Sequence, residues 1–362
     1  MPGSHSEREF ELRAAQQWTA TRAKPAPPLA GIASDAPEVP SSRKKAHTPR
    51  VRRAPLLAVV ALFAAVVLPS ADAAPKANER VLVVLASTGS KPYTVAEVQR
   101  TFEQANAFIE RSSFGQAQLH ADVTPWLTGL SARPSCGASD ASVESIFGPP
   151  RKAAAGAGFD TARYDTVIYA LPDAHCGFFG ATFGHQVMLT RQPTVELLLH
   201  ELGHTFGLGH AMGSNCTDLL RCGLDDTGDT FSPMGSGMLD YSAYEKSVLG
   251  WLPPQPHVTA PKQFVLAPAT AKSKLARALV VDTSRGTWWI EYRTQPFRGL
   301  VFRFIDADNH SAPYAQSTVL ILRPTKHARP WIVKGETYRI PLSWRVTLTK
   351  ATRTRAEVRF RP

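Results

Sequence analysis

The sequence predicts an α/β domain with a mostly parallel sheet, followed by a small all-β, sandwich-like domain. Three observations predict it. Between residues 80 and 205, short apolar runs alternate with stretches of helical periodicity, the pattern of a sheet covered by helices. Between 263 and 360 the pattern changes to about seven short β-like runs separated by turn signals. Charge divides at the same place: residues 74–255 carry 12 Lys and Arg against 18 Asp and Glu, and residues 256–362 carry 19 against 6. Pro253-Pro254-Gln255-Pro256 marks the joint, because proline interrupts both helix and sheet. The expected organisation is a tail over 1–53, a leader over 54–73, an α/β domain over 74–252 and a basic β domain over 257–362. With 43% apolar and 20% charged residues, the chain as a whole has the composition of a globular protein, not of a disordered or fibrous one.

Residues 1–53 are rich in Ala, Pro and charge and show no periodic apolar face. Arg50, Arg52 and Arg53 precede the uncharged run Ala54–Leu68, and Ala71-Asp72-Ala73 follows it. Basic start, apolar middle and small-residue end are the parts of a secretory signal peptide cleaved near Ala73. A membrane anchor needs about 20 apolar residues, more than this run provides. A signal this far into a chain places the expected start near Val51. The mature protein is then secreted or periplasmic. The four cysteines, Cys136, Cys176, Cys216 and Cys222, all follow the leader, and an even count in an exported chain predicts disulfides. Four cysteines allow three pairings; sequence proximity favours Cys136–Cys176 and Cys216–Cys222. A second metal site is the rival reading, and the C-x-x-C spacing it needs is missing.

The elements of the first domain follow in order. Arg80–Ala86 is a Val-rich run suited to a buried strand. Thr94 and Glu97 form a capping box, and Val95, Val98, Phe102, Ala105, Phe108 and Ile109 then recur at helical spacing until Gly115. Gln116–Trp126, Asp165–Leu171 and Gln186–Thr190 read as strands, and a helix starts near Thr194 with Leu197, Leu198 and Leu199 facing the core.

That helix carries His200-Glu201-Leu202-Gly203-His204-Thr205-Phe206-Gly207-Leu208-Gly209-His210. Positions i and i+4 share a helix face, so His200 and His204 can present both imidazoles to one metal ion. Gly207 lets the chain leave the helix sharply, and His210 returns as third ligand. Three histidines with one open position describe a catalytic zinc rather than a closed structural one. Glu201, beside the first ligand, can reach a water on the ion without ligating it. Downstream, Asp225, Asp226 and Asp229 stand among glycines, where turn-forming acids are the default and a calcium site is the alternative. Met234, in Phe231-Ser232-Pro233-Met234-Gly235, is expected to pack beneath the ligands as a Met-turn, with Met238 as competitor. Tyr241 and Tyr244 are candidate donors to a transition-state oxyanion.

The zinc signature, Ser113-Phe114-Gly115, Val123–Trp126, Gly228-Asp229 ahead of Ser232-Pro233-Met234-Gly235, and Tyr244-Glu245-Lys246 with Leu249-Gly250-Trp251-Leu252 together resemble the gametolysin-type metzincin peptidases, with kinship to secreted bacterial peptidases of similar type. The resemblance covers about residues 80–252. It implies a metzincin-type catalytic domain and a secreted zinc endopeptidase acting on extracellular or cell-wall proteins. His200, His204 and His210 take the ligand roles, Glu201 the base and Met234 the turn. Enzymes of this kind can be held latent by a propeptide cysteine on zinc, whereas this chain has no Cys before Cys136.

In the basic part, Trp288 and Trp289 could stack on sugars, although core packing is the commoner use. Its charge points to an anionic polysaccharide or cell surface rather than nucleic acid, given export. An exported binding protein with an inactive metzincin core, working through this basic part, is the alternative to the peptidase.

Overall fold

The computed structural model describes residues 77–131, 140–174, 176–214, 223–307, 317–321, 329–341 and 343–362. The expectations for the tail, the leader and Cys136, Cys216 and Cys222 fall outside them.

The chain begins with β1 (Asn78–Ser87) and α1 (Val95–Ser112). Thr94 caps α1 through the predicted capping box, and Val98, Phe102, Ala105, Phe108 and Ile109 are buried on one face. β2 (Gln118–Val123), β3 (Leu127–Thr128), α2 (Asp140–Gly156) and β4 (Thr166–Ala170) follow. β5 (Gly180–Phe183) and β6 (Gln186–Leu189) form a hairpin that leads into α3 (Val195–Thr205). The first sheet runs β2-β1-β4-β6-β5, parallel except for the antiparallel edge strand β5.

This sheet is covered on both faces, which is why β1 is an unbroken apolar run. Val81, Val83 and Leu85 pack with residues of α1 and α3, whereas Leu82, Val84 and Ala86 pack with Ile146, Phe147 and Ala154 of α2. Each fully buried side chain of this size contributes roughly 1.5–3 kcal/mol. α2 was not expected, and it runs through Pro149 and Pro150. Burial of its Ile146, Phe147 and Ala154 outweighs the proline penalty.

β7 (Ala211–Ser214), β8 (Leu224–Asp225) and α4 (Ala243–Val248) come next. The remaining strands are β9 (Gln263–Leu266), β10 (Ala278–Thr283), β11 (Gly286–Arg293), β12 (Gly299–Asp306), β13 (Thr318–Ile321), β14 (Thr337–Arg339), β15 (Arg345–Ala351) and β16 (Ala356–Arg361). They build two sheets, β10-β11-β12-β13-β7-β8 and β14-β15-β16-β9. One core is shared between them, with Leu279, Trp288, Ile290, Phe302 and Phe304 from the first and Tyr338, Val346, Leu348, Val358 and Phe360 from the second. Trp288 is 3% exposed against Phe304 and Tyr338, so its ring serves the core, whereas Trp289 is half-buried and meets Tyr244.

The proline-rich joint separates the sequence but not the sheet. β7, directly after His210, pairs in parallel with β13, matching Ala211 to Thr318. Among the described residues no helix is long and apolar enough to cross a membrane.

Candidate metal centre

Helix α3 is capped by Thr194, whose hydroxyl accepts from the Leu197 N–H, and it is anchored by buried Leu197, Leu198, Leu199 and Leu202. That anchoring leaves His200 and His204 half-buried on the opposite side, with Glu201 4% exposed. Gly207, at φ 86°, takes the left-handed conformation that lets the chain turn back. The Leu208 N–H bonds to the Gly203 carbonyl across this turn. His210 then precedes β7, and its carbonyl accepts from the Thr318 N–H at 3.0 Å. A strand of the basic half therefore fixes the backbone of the third histidine.

The three imidazoles converge, with ligand atoms all within 4.8 Å of one another. Each Nδ1 has its own partner: the Pro233 carbonyl at 2.9 Å for His200, the Leu208 carbonyl at 2.8 Å for His204 and the Asp226 carboxylate at 2.8 Å for His210. A carbonyl only accepts, so His200 and His204 each carry their proton on Nδ1. Both Nε2 atoms then present lone pairs, and they stand 3.2 Å apart. Two facing acceptors repel unless a cation lies between them. A tetrahedral ion with Zn–N bonds of about 2.0–2.1 Å would set neighbouring ligand nitrogens roughly 3.3–3.4 Å apart, close to the spacing seen. The residues fit the ion. Burial, ahead of the neighbouring imidazoles, lowers the affinity of His200 and His204 for a second proton and brings His204 down to about 4, so both stay neutral, as ligands must be.

Glu201 lies beside this cluster. Burial lifts its carboxyl to about 7, partly offset by the Thr182 hydroxyl, which donates to Oε2 at 2.7 Å. Thr182 belongs to edge strand β5 and was not anticipated from the sequence.

Met234 is fully buried, and Met238 is only partly so. The Met234 sulfur lies where a side chain on Gly203 would be, so only glycine at 203 lets the turn pack under the helix. The turn is tied to the returning chain: the Ala211 N–H donates to the Met234 carbonyl at 2.8 Å, and the Asp229 N–H to the Ala211 carbonyl at 3.0 Å.

Behind the turn lies an ionic cluster. Asp229 Oδ1 accepts from the Phe231 and Ser232 N–H groups, and Oδ2 pairs with Arg303 Nε at 2.8 Å. Arg303 Nη1 reaches Glu291 at 2.5 Å, and Arg293 Nε binds the same carboxylate oxygen at 2.5 Å. The other Glu291 oxygen accepts from the Ala243 N–H at the start of α4. Burial alone would raise the Glu291 carboxyl, but Arg293, Arg303 and the Ala243 N–H outweigh it and hold it at about 2. Arg303 is 1% exposed and Arg293 2%.

The acids read as a calcium alternative are therefore split. Asp225 bonds the Thr227 N–H, Asp226 orients His210 and Asp229 engages Arg303. Among the described residues the histidines form the only metal-sized cluster. Of the two candidate oxyanion donors, Tyr241 is fully buried, and its hydroxyl donates to the Leu199 carbonyl at 2.8 Å. Tyr244 packs edge-on against Trp289. Cys176 is disulfide-bonded, with its partner outside the described residues.

No family model matches this sequence, and no curated protein matches it.

Proposed function

We propose that the chain is a secreted zinc endopeptidase of the metzincin type, cleaving peptide bonds of extracellular or cell-wall proteins. The observation that carries this reading is the pair of Nε2 lone pairs facing each other at 3.2 Å, with His210 completing the triad and Glu201 beside it. His200, His204 and His210 would hold a zinc ion, which when bound would supply Lewis acidity and bring a water's pKa to about 7. Glu201 accepts the water's proton as its oxygen attacks, then delivers that proton to the leaving amine. Thr182 holds the carboxylate in place for both transfers. Strand β5 carries Thr182 and pairs only with β6 among the described strands, so its outer edge can take an extended peptide by strand addition next to Glu201.

The test is a casein zymogram of the full chain with and without a chelator. Glu201→Ala should keep zinc and lose activity by about 10²–10⁴-fold. Peptidase activity retained in that variant refutes the assignment. Zinc-independent inertness of the wild type would instead favour the exported binding protein with an inactive core.

A further inference from the structure

The sheet β14-β15-β16-β9 turns Tyr338, Val346, Leu348, Val358 and Phe360 into the core, so alternation turns the intervening residues outward. Register fixes which of these are neighbours. Arg339 stands opposite Arg345, and Arg345 opposite Arg361, a row of three arginines across three strands. In the next row are Thr337, Thr347, Arg359 and Gln263. All four arginines are exposed, and none of them forms an ion pair among the described residues. The one outward carboxylate, Glu357, is engaged by Lys350 at 3.4 Å and Gln263 at 3.0 Å.

Like charges placed directly opposite each other destabilise a sheet. A bound polyanion removes that cost. Two strand spacings of roughly 4.8 Å make the row about 10 Å long, enough for successive anionic groups on one chain. Guanidinium groups grip such groups bidentately. In the row beside them the Thr337 and Thr347 hydroxyls bond each other at 2.8 Å and the Gln263 amide nitrogen bonds Glu357, which leaves one hydroxyl hydrogen and the Gln263 carbonyl oxygen to meet sugar hydroxyls. No aromatic side chain lies outward on these strands to stack a nucleobase. Val265 is the only outward apolar residue, too little to enter a membrane.

We propose that this outer face binds a linear acidic polysaccharide bearing sulfate or carboxylate groups. The inference deepens the reading of the basic half as a polyanion-binding region and is independent of peptidase activity.

The test uses the full chain and a heparin dodecasaccharide as probe, followed by titration calorimetry at two salt concentrations. Arg339→Thr/Arg345→Thr/Arg361→Thr keeps β propensity and removes the row. Lys272→Ser/Lys274→Ser/Arg285→Ser removes the same charge from exposed positions elsewhere. The row variant should bind at least about tenfold more weakly, with a shallower salt dependence, and the charge-matched variant within about twofold of wild type. Arg345→Thr alone, the middle of the row, should lose about threefold and serves if the triple variant melts early. Equal weakening of both triple variants, or no weakening of either, overturns the proposal. So does a single-stranded DNA oligonucleotide or a phosphatidylserine vesicle that binds as tightly as heparin and is equally sensitive to the row.

Discussion

The Phe231–Met234 segment touches two polar clusters that differ in kind. On one side the histidines direct lone pairs at one another, and among the described residues no donor answers them. On the other, Asp229, Glu291, Arg293 and Arg303 answer each other almost completely, with only Arg303 Nη2 left unpaired. The first cluster asks for a ligand and the second is a brace. Burial does not separate them, but the accounting of donors and acceptors does.

Breaking the brace should have the largest effect on folding. Arg303→Met strips Asp229 of its buried counter-charge, leaves Glu291 with Arg293 alone and should cost about 3–5 kcal/mol, read from urea unfolding. A cost under about 1 kcal/mol would mean that the cluster is not closed in the way described.

Acid tests the same cluster. Glu291 is held at about 2, below the roughly 4.3 of an unfolded Glu. Its contribution is therefore fully present above about pH 4.3 and is lost as pH falls towards 2. It amounts to about 3 kcal/mol at most. The melting-temperature gap between wild type and Glu291→Gln should narrow over that range, and a gap constant with pH contradicts the assignment.

The histidine side is sharpened by Asp226→Ala. This change removes the carboxylate that orients His210 and should weaken zinc binding about 10–100-fold with little effect on the fold. Unchanged affinity would make Asp226 incidental. Tyr241→Phe gives the smallest effect. It deletes one buried hydrogen bond to α3, costs about 0.5–1.5 kcal/mol and leaves zinc binding intact. Loss of turnover beyond what that destabilisation explains would restore Tyr241 to the chemistry.

The two clusters were also unequally legible in the sequence. His200, Glu201, His204 and His210 fall within eleven residues, so helix periodicity and one glycine turn suffice to gather them. Arg303 lies 74 residues from Asp229, on another strand, and no local rule joins them. A signal was present: Leu300-Val301-Phe302-Arg303-Phe304-Ile305 is apolar on both faces, so an arginine inside it must be buried and paired. β7, with sequence Ala-Met-Gly-Ser, has no strand composition, and its pairing with β13 is what ties the basic half to the third histidine. Pro149 and Pro150 give α2 no local helix signal, and packing carries the helix through them.

Zinc K-edge absorption spectroscopy on the zinc-loaded full chain tests the central claim most directly. Three imidazole nitrogens and one oxygen at about 2.0–2.1 Å are predicted, with the same three nitrogens retained in Glu201→Ala. Sulfur at about 2.3 Å, or no zinc retained at all, would contradict it.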